Sequence, residues 1–169
     1  MYYQLWTNPI VMRNVGFPHG LPITLDEVCA KIAEHIQIQG DFGRLLVVEE
    51  KTSGTVIGEC KMYLPDENGI SETDVKLLPK YWGQKYGVEI KRGLVNHLFT
   101  NTDCKIVQAT PNINNTASIK MQEAVGGVRV GQDTFYPSEE MKTYACPVPY
   151  YIYHVHRHTW ENERGKNNY

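Results

Sequence analysis

No stretch of this chain stays apolar for the roughly 18–20 residues that a membrane helix requires, so no membrane span is expected. Neither sign of charge dominates. Seventeen Lys and Arg against 19 Asp and Glu leave a formal net charge of −2, which gives no global attraction to nucleic acid or to an anionic membrane. The opening residues, MYYQLWTNPIVMRN, lack the basic and then apolar regions of a secretory signal. Cysteine is sparse: Cys29, Cys60, Cys104 and Cys146 stand far apart, with no C-x-x-C pair. A disulfide framework or structural zinc site is therefore not expected, and free thiols in a reducing, cytoplasmic setting are. Repeats and low-complexity linkers are absent too, so residues 1–169 read as a single domain, a length that fits one core.

What is present is a regular succession of element signals. Thr24-Leu25-Asp26-Glu27 is a capping box, with Thr as N-cap and Glu three residues on. Behind it Val28, Ile32 and Ile36 give one apolar helical face, and Gly40 is expected to end that helix. Arg44 to Lys51 reads as a strand, Thr52-Ser53-Gly54 as a turn and Thr55 to Leu64 as the hairpin partner. Asp66-Glu67-Asn68-Gly69 marks a second turn, and Ile70 to Leu78 is a third strand closed by Pro79. The pattern then becomes helical from Gln84 to Phe99, with Ile90, Leu94, Val95 and Leu98 on one face. Lys105 to Thr110 is a strand, Asn115 to Val125 a short helix stopped by Gly126-Gly127, and Val128 to Val130 and Tyr150 to Val155 are the last strands. An antiparallel meander leading into a β-α-β-α unit implies a mixed sheet with helices on its faces.

The stretch that points to chemistry is Pro79-Lys80-Tyr81-Trp82-Gly83-Gln84-Lys85-Tyr86-Gly87, between a strand and a helix. A helix N-terminus offers unpaired N–H groups and partial positive charge, and glycine lets an anion approach the backbone. On these residues alone an anion site and a plain glycine-rich turn stand level. Neither the P-loop pattern nor the dinucleotide G-x-G-x-x-G is present. The second element is Asn114-Asn115-Thr116-Ala117-Ser118-Ile119-Lys120, directly after a strand. Taken alone, its Asn or Thr is best read as a helix cap.

Together, PKYWGQKYGVEIKRGL, KIVQAT and NTASIKMQEAVGG resemble the core of the GNAT acetyltransferases. They are most similar to the branch that acetylates ribosomal-protein N-termini, with Trp-Gly before the pyrophosphate loop and Asn-x-x-Ser after the next strand. The resemblance covers about residues 43 to 131. It implies an α/β (α+β mixed) fold with a central, mostly antiparallel sheet, splayed middle strands and helices on both faces. It also implies acetyl-CoA as cosubstrate, no metal, and direct transfer of acetyl to a primary amine on a peptide or small molecule, with room for a homodimer. By the resemblance, Trp82, Gly83, Gln84, Lys85, Tyr86 and Gly87 would hold the coenzyme A pyrophosphate. The backbone near Leu77 and Leu78 would pair with the pantetheine arm, Asn115 would bond its far end, Ser118 would lie near the thioester sulfur, and Lys120 would reach the phosphates.

The departures from the pattern are equally specific. Lys85 stands where the motif has its central glycine, and its ammonium would act there as a counter-charge. Gln122 stands where many members carry a Tyr general acid, which leaves that role vacant. Gly127 replaces a common Phe, and the typical first strand is missing. For a general base, Glu72 is the candidate, sharing a strand face with Asp74 and Lys76; the plain alternative is a solvated or salt-bridged face. His154, His156 and His158 alternate on the last strand, a spacing that can ligate zinc, but no nearby Cys or carboxylate completes a set and a polar strand end is the better reading. Trp6, Trp160 and the Tyr150–Tyr153 run read as core or interface. A rival of another class is a non-catalytic acyl-CoA-binding protein, separated from the enzyme by release of free CoA in the presence of an amine.

Overall fold

The computed structural model describes residues 1–37 and 44–166. The expected stop at Gly40 lies outside them. Two short helices, α1 (Tyr2–Trp6) and α2 (Pro9–Met12), open the chain. Asn8 caps α2, its side chain accepting from the N–H groups of Ile10 and Val11 ahead of Pro9 at the first turn. The capping box forms at α3 (Leu25–Gln37): Thr24 N–H donates to Glu27 Oε2 at 2.7 Å and Glu27 N–H to Thr24 Oγ1 at 3.3 Å. No strand precedes β1 among the described residues, in line with the missing first strand.

Then follow β1 (Arg44–Glu50), β2 (Thr55–Met62), β3 (Ile70–Leu77), α4 (Tyr86–Asn101), β4 (Ile106–Ala109), α5 (Thr116–Glu123), β5 (Val128–Phe135), β6 (Val148–His156) and α6 (Arg157–Lys166). Among the described residues six strands form one sheet in the order β1-β2-β3-β4-β6-β5, and only β3 and β4 run parallel. The last hairpin is longer than the periodicity predicts. β5 is an edge strand whose residues are exposed on both faces, so the inside–outside alternation that announces a strand is missing from VRVGQDTF. β6 ends at His156, and His158 belongs to α6 rather than to the strand.

Two apolar layers sandwich the sheet. On one face α4 sets Leu94, Val95, Leu98 and Phe99 against Cys60, Met62, Val107 and Val155. On the other, Leu5, Trp6, Val11, Met12 and Val28 of the three N-terminal helices pack together, with Leu45 and Leu78 against them. Charged residues intrude on this second layer. Glu59 is 1% exposed and accepts from the Trp6 indole at 2.9 Å, with the Lys76 ammonium 3.4 Å from its other oxygen.

β3 and β4 part company early. Their pairing covers only Ile70–Ile106, Ser71–Val107 and Glu72–Gln108, while β3 stays paired to β2 as far as Leu77. From Thr73 onward the middle of the sheet is therefore a fork.

Candidate functional site

The fork has a defined chemistry because strand backbones alternate. Tyr63 N–H donates to Glu72 O and Leu78 N–H to Ile57 O, so the even-numbered residues of β3 direct their backbone groups at β2. The odd-numbered ones face the fork. Leu78 is thus committed to β2, and the open edge consists of Val75 and Leu77 rather than Leu77 and Leu78. Leu77 O is taken by the Trp82 indole at 2.8 Å, which folds the loop after β3 back over the end of the strand. Among the described residues the Leu77 N–H and the backbone of Val75 have no strand partner on that side.

That loop leads into the N-terminus of α4. Pro79–Tyr81 form one 3-10 turn, and Gly83 follows with φ 75°. Lys85, the N-cap of α4, has φ 67° and ψ 1°. It is the one non-glycine residue with positive φ among the described residues. The glycine of the family motif is thus replaced in side chain but not in backbone. A non-glycine residue in this conformation costs roughly 1–2 kcal/mol. Left-handed residues next to right-handed ones turn successive N–H groups to one side, a concavity suited to an anion. Nothing lies within 4 Å of where a Gly83 Cβ would be. Gln84 folds back, donating to Lys80 O at 3.0 Å. The Tyr86 hydroxyl donates to Glu50 on β1. Gly87 serves packing: an added Cβ would stand 3.1 Å from Met121 Sδ of α5, so it sets how closely α4 and α5 approach.

On α5, Asn115 is the N-cap, its Oδ1 accepting from Ser118 N–H at 3.2 Å. The capping reading therefore accounts for that oxygen, while the amide nitrogen is not used by the cap. Ser118 is half-buried and Lys120 exposed.

Glu72 lies at the apex of the fork, on the face of the N-terminal helices. Its Oε1 accepts from Gln108 Nε2 at 2.8 Å, and Gln108 Oε1 is 2.9 Å from His154 Nε2. The carboxylate can only accept, so the Gln108 amide is oriented and His154 presents an Nε2–H. Burial, then His156, lowers the His154 pKa, which keeps the ring neutral at neutral pH. Around Glu72 the same face carries Asp74, Tyr63 and Tyr150. Burial, then Asp74 and Glu72, raises Tyr63; burial, then Asp133 and Glu72, raises Tyr150. Burial would raise Asp74, but the Lys76 ammonium beside it prevails and holds the carboxyl below its usual range.

The periodicity pointed to Glu72 but not to Gln108, which reaches it through cross-strand register that a single sequence does not state. The three histidines adjoin one another, His154 and His156 edge to face at 5.8 Å and His156 and His158 tilted at 5.4 Å between ring centres. Among the described residues no group of three or more His, Cys, Asp or Glu is placed to hold a metal. A separate hollow of about 200 Å³ lies between the β1–β2 hairpin and α4, lined by Glu49, Glu50, Tyr86 and Glu89 among others. Its carboxylates do not suit a phosphate, and it is not the fork.

Comparison with known proteins agrees with this geometry. The model of the acetyltransferase (GNAT) domain matches residues 1–128. Over 129 residues the chain is 23% identical to an uncharacterized N-acetyltransferase, p20, of Bacillus licheniformis, which covers 76% of this chain and 72% of that protein. An aminoglycoside acetyltransferase solved with coenzyme A superposes with a TM-score of 0.74 at 19% identity, over 97% of this chain and 92% of that one. A spermidine N-acetyltransferase from Vibrio cholerae, solved with CoA and spermine, gives 0.74 at 16% identity, over 92% and 88%. At such identities the structural likeness concerns the fold, whereas the domain match spans 128 of 169 residues, and on that ground the chain belongs to the GNAT acetyltransferases and is an N-acetyltransferase.

Proposed function

We propose that this chain transfers acetyl from acetyl-CoA to a primary amine of a small cationic molecule, by direct attack and without an acyl-enzyme. The observation that carries the reading is the fork, an unpaired strand edge that begins at Thr73 and leads to a left-handed loop at a helix N-terminus. The loop 82–87 takes the pyrophosphate on backbone N–H groups, with the Lys85 ammonium as counter-charge. The pantetheine arm pairs with Val75 and Leu77 as a strand would. Asn115 offers its amide nitrogen to the arm, Ser118 donates to the sulfur, and Lys120 reaches the phosphates. Acetyl-CoA supplies the activated acyl group; the residues supply proximity and orientation.

The arm then runs from Leu77 back towards Thr73, roughly 14 Å of strand at ~3.4 Å per residue. That brings the thioester to the apex, beside Glu72. There Glu72, held by Gln108, takes the proton of the attacking amine directly or through water. The carboxylates Glu72, Asp74 and Asp133 around Tyr63 and Tyr150 favour a cationic acceptor. The aminoglycoside and spermidine acetyltransferases among the structural relatives agree with that choice. A protein N-terminus is the second reading, favoured by the Trp82-Gly83 and Asn115-x-x-Ser118 pattern.

An acceptor screen separates them: free-thiol release from acetyl-CoA with polyamines, aminoglycosides and short peptides. Cationic small amines should give the fastest release. Release with peptides alone would favour the second reading. Binding of acetyl-CoA with no release would leave an acyl-CoA-binding protein.

A further inference from the structure

One buried ionisable group is not used by this scheme. Lys91, on α4, is 1% exposed. Its Nζ donates to Thr73 Oγ1 and has no other partner among the described residues. An ammonium carries three protons, so two are left without acceptors in an apolar layer. Ser71, on the same face of β3, is fully buried, and its Oγ also has no partner among the described residues. A lysine buried this way is costly, and such groups concentrate at functional sites.

The position is specific. Thr73 is the first residue of β3 beyond its pairing with β4, so the Lys91 ammonium stands at the apex of the fork. Glu72 stands at the same apex on the opposite face. A thioester lying there has a carboxylate on the acceptor side and an ammonium on the α4 side, and α5, which carries Ser118, packs against α4. Gln122, where the family pattern has a Tyr general acid, is an amide and has no proton to give at neutral pH.

We propose that Lys91 is the general acid of this enzyme, giving its proton to the departing CoA thiolate. The inference rests on the fork being the acetyl-CoA site. The amine lone pair forms the C–N bond, and the C–S bond breaks with its electron pair passing to sulfur. The attacking nitrogen loses one proton to Glu72. Sulfur takes one proton from Lys91, giving the CoA thiol and a neutral Lys91 amine, which regains a proton from water as the products leave. Ser118 donates a hydrogen bond to the same sulfur, since an alcohol is too weak an acid to supply the proton itself.

The acid strength suits the task. Burial lowers the Lys91 pKa to about 8, against a smaller opposing effect of Asp74 on β3. A free thiol ionises near ~8.5, so the two are matched. Few other titratable groups lie around it. Cys60, on β2 in the same apolar layer, is pushed up to about 11 by burial and stays neutral. Glu89 is exposed on α4, Arg92 donates to Ala124 O, and Lys120 on α5 is exposed.

Two substitutions test the proposal, Lys91→Met and Lys91→Arg, read first on the binary complex with CoA. The absorbance of the bound thiolate is followed against pH, beside calorimetric affinity for acetyl-CoA and the kcat profile. In the parent, bound CoA should ionise at lower pH than free CoA. Lys91→Met should abolish that difference and lower kcat by about 10²–10⁴-fold, with affinity changed by less than about threefold. Lys91→Arg should keep the depressed thiol ionisation, because the charge remains, yet lose the fall of kcat above about pH 8, because arginine does not give up its proton. Parent-like thiol ionisation and kcat in Lys91→Met would overturn the proposal. If Lys91→Met does not fold, a parent-like pH profile in Lys91→Arg would overturn it as well. Failure of the fork as the cofactor site looks different: the parent itself would then show no shift in the ionisation of CoA.

Discussion

Lys85 and Glu72 place opposite demands on their surroundings. Lys85 holds a backbone conformation that glycine adopts freely, with its side chain in solvent. Lys85→Gly should therefore raise the melting temperature by about 2–4 °C, the equivalent of roughly 1 kcal/mol at this size. Lys85→Glu should weaken CoA far more than an analogue lacking the pyrophosphate. Thermal melting and calorimetry check both, and a glycine variant that melts no higher would mean that the left-handed conformation carries no penalty. Glu72 depends on its cross-strand partner, the Gln108 amide 2.8 Å away. Glu72→Gln should lower kcat by about 10²–10⁴-fold with little change in acetyl-CoA affinity, and flatten the acidic limb of the rate profile. Steady-state kinetics across pH decides this, and a change below about threefold would remove Glu72 as the base.

Among the elements, α5 combines a structural and a chemical demand in one residue. Asn115 Oδ1 caps the helix, so Asn115→Ala should cost about 1 kcal/mol of stability. Asn115→Asp keeps a capping oxygen and loses only the amide nitrogen. It should melt like the parent and bind acetyl-CoA less tightly. Equal affinity in the Asp variant would confine Asn115 to the cap. Elements with local signals were legible in the sequence: the Thr24–Glu27 box, the turns at Ser53 and Asn68, and the stripe of α4. Asn8-Pro9 carried a capping signal for α2 that the apolar periodicity of so short a helix could not amplify. Lys91 was also within reach, since it stands three, four and seven residues before Leu94, Val95 and Leu98 on the buried stripe. A charge there argues against burial on composition and for it on geometry, and geometry prevailed. The edge of β3 that faces the fork depends on long-range pairing, so Val75 and Leu78 could not be told apart beforehand.

At the level of the whole molecule, stability should change at both ends of the pH range. The Glu27 carboxyl is lowered by hydrogen bonds from the Thr24 backbone and side chain, and that of Asp66 chiefly by the Ile70 N–H. Groups depressed in the folded state stabilise it above their unfolded values of 4.5 and 3.8, and that contribution is lost as the pH falls below them. Lys91 acts in the alkaline range. Its pKa is about 8 folded against 10.5 free, so the unfolded chain binds the extra proton between those values and stability rises with pH there. Below about pH 8 the buried charge costs about 3 kcal/mol at 1.36 kcal/mol per pH unit. Lys91→Met should thus melt higher than the parent at pH 7, and the gap should close above 10.5; a gap independent of pH would place the effect in packing instead. The architecture rests on the fork as the seat of the acyl donor, and amide hydrogen exchange with and without acetyl-CoA tests that most directly. The predicted result is new protection at the N–H groups of Val75, Leu77 and the loop 83–87, with Leu78 and Trp82 unchanged because their N–H groups are already bonded to Ile57 and Pro79. Protection confined to the hollow at Glu49, Glu50 and Glu89, with Val75 and Leu77 exchanging as before, would contradict it.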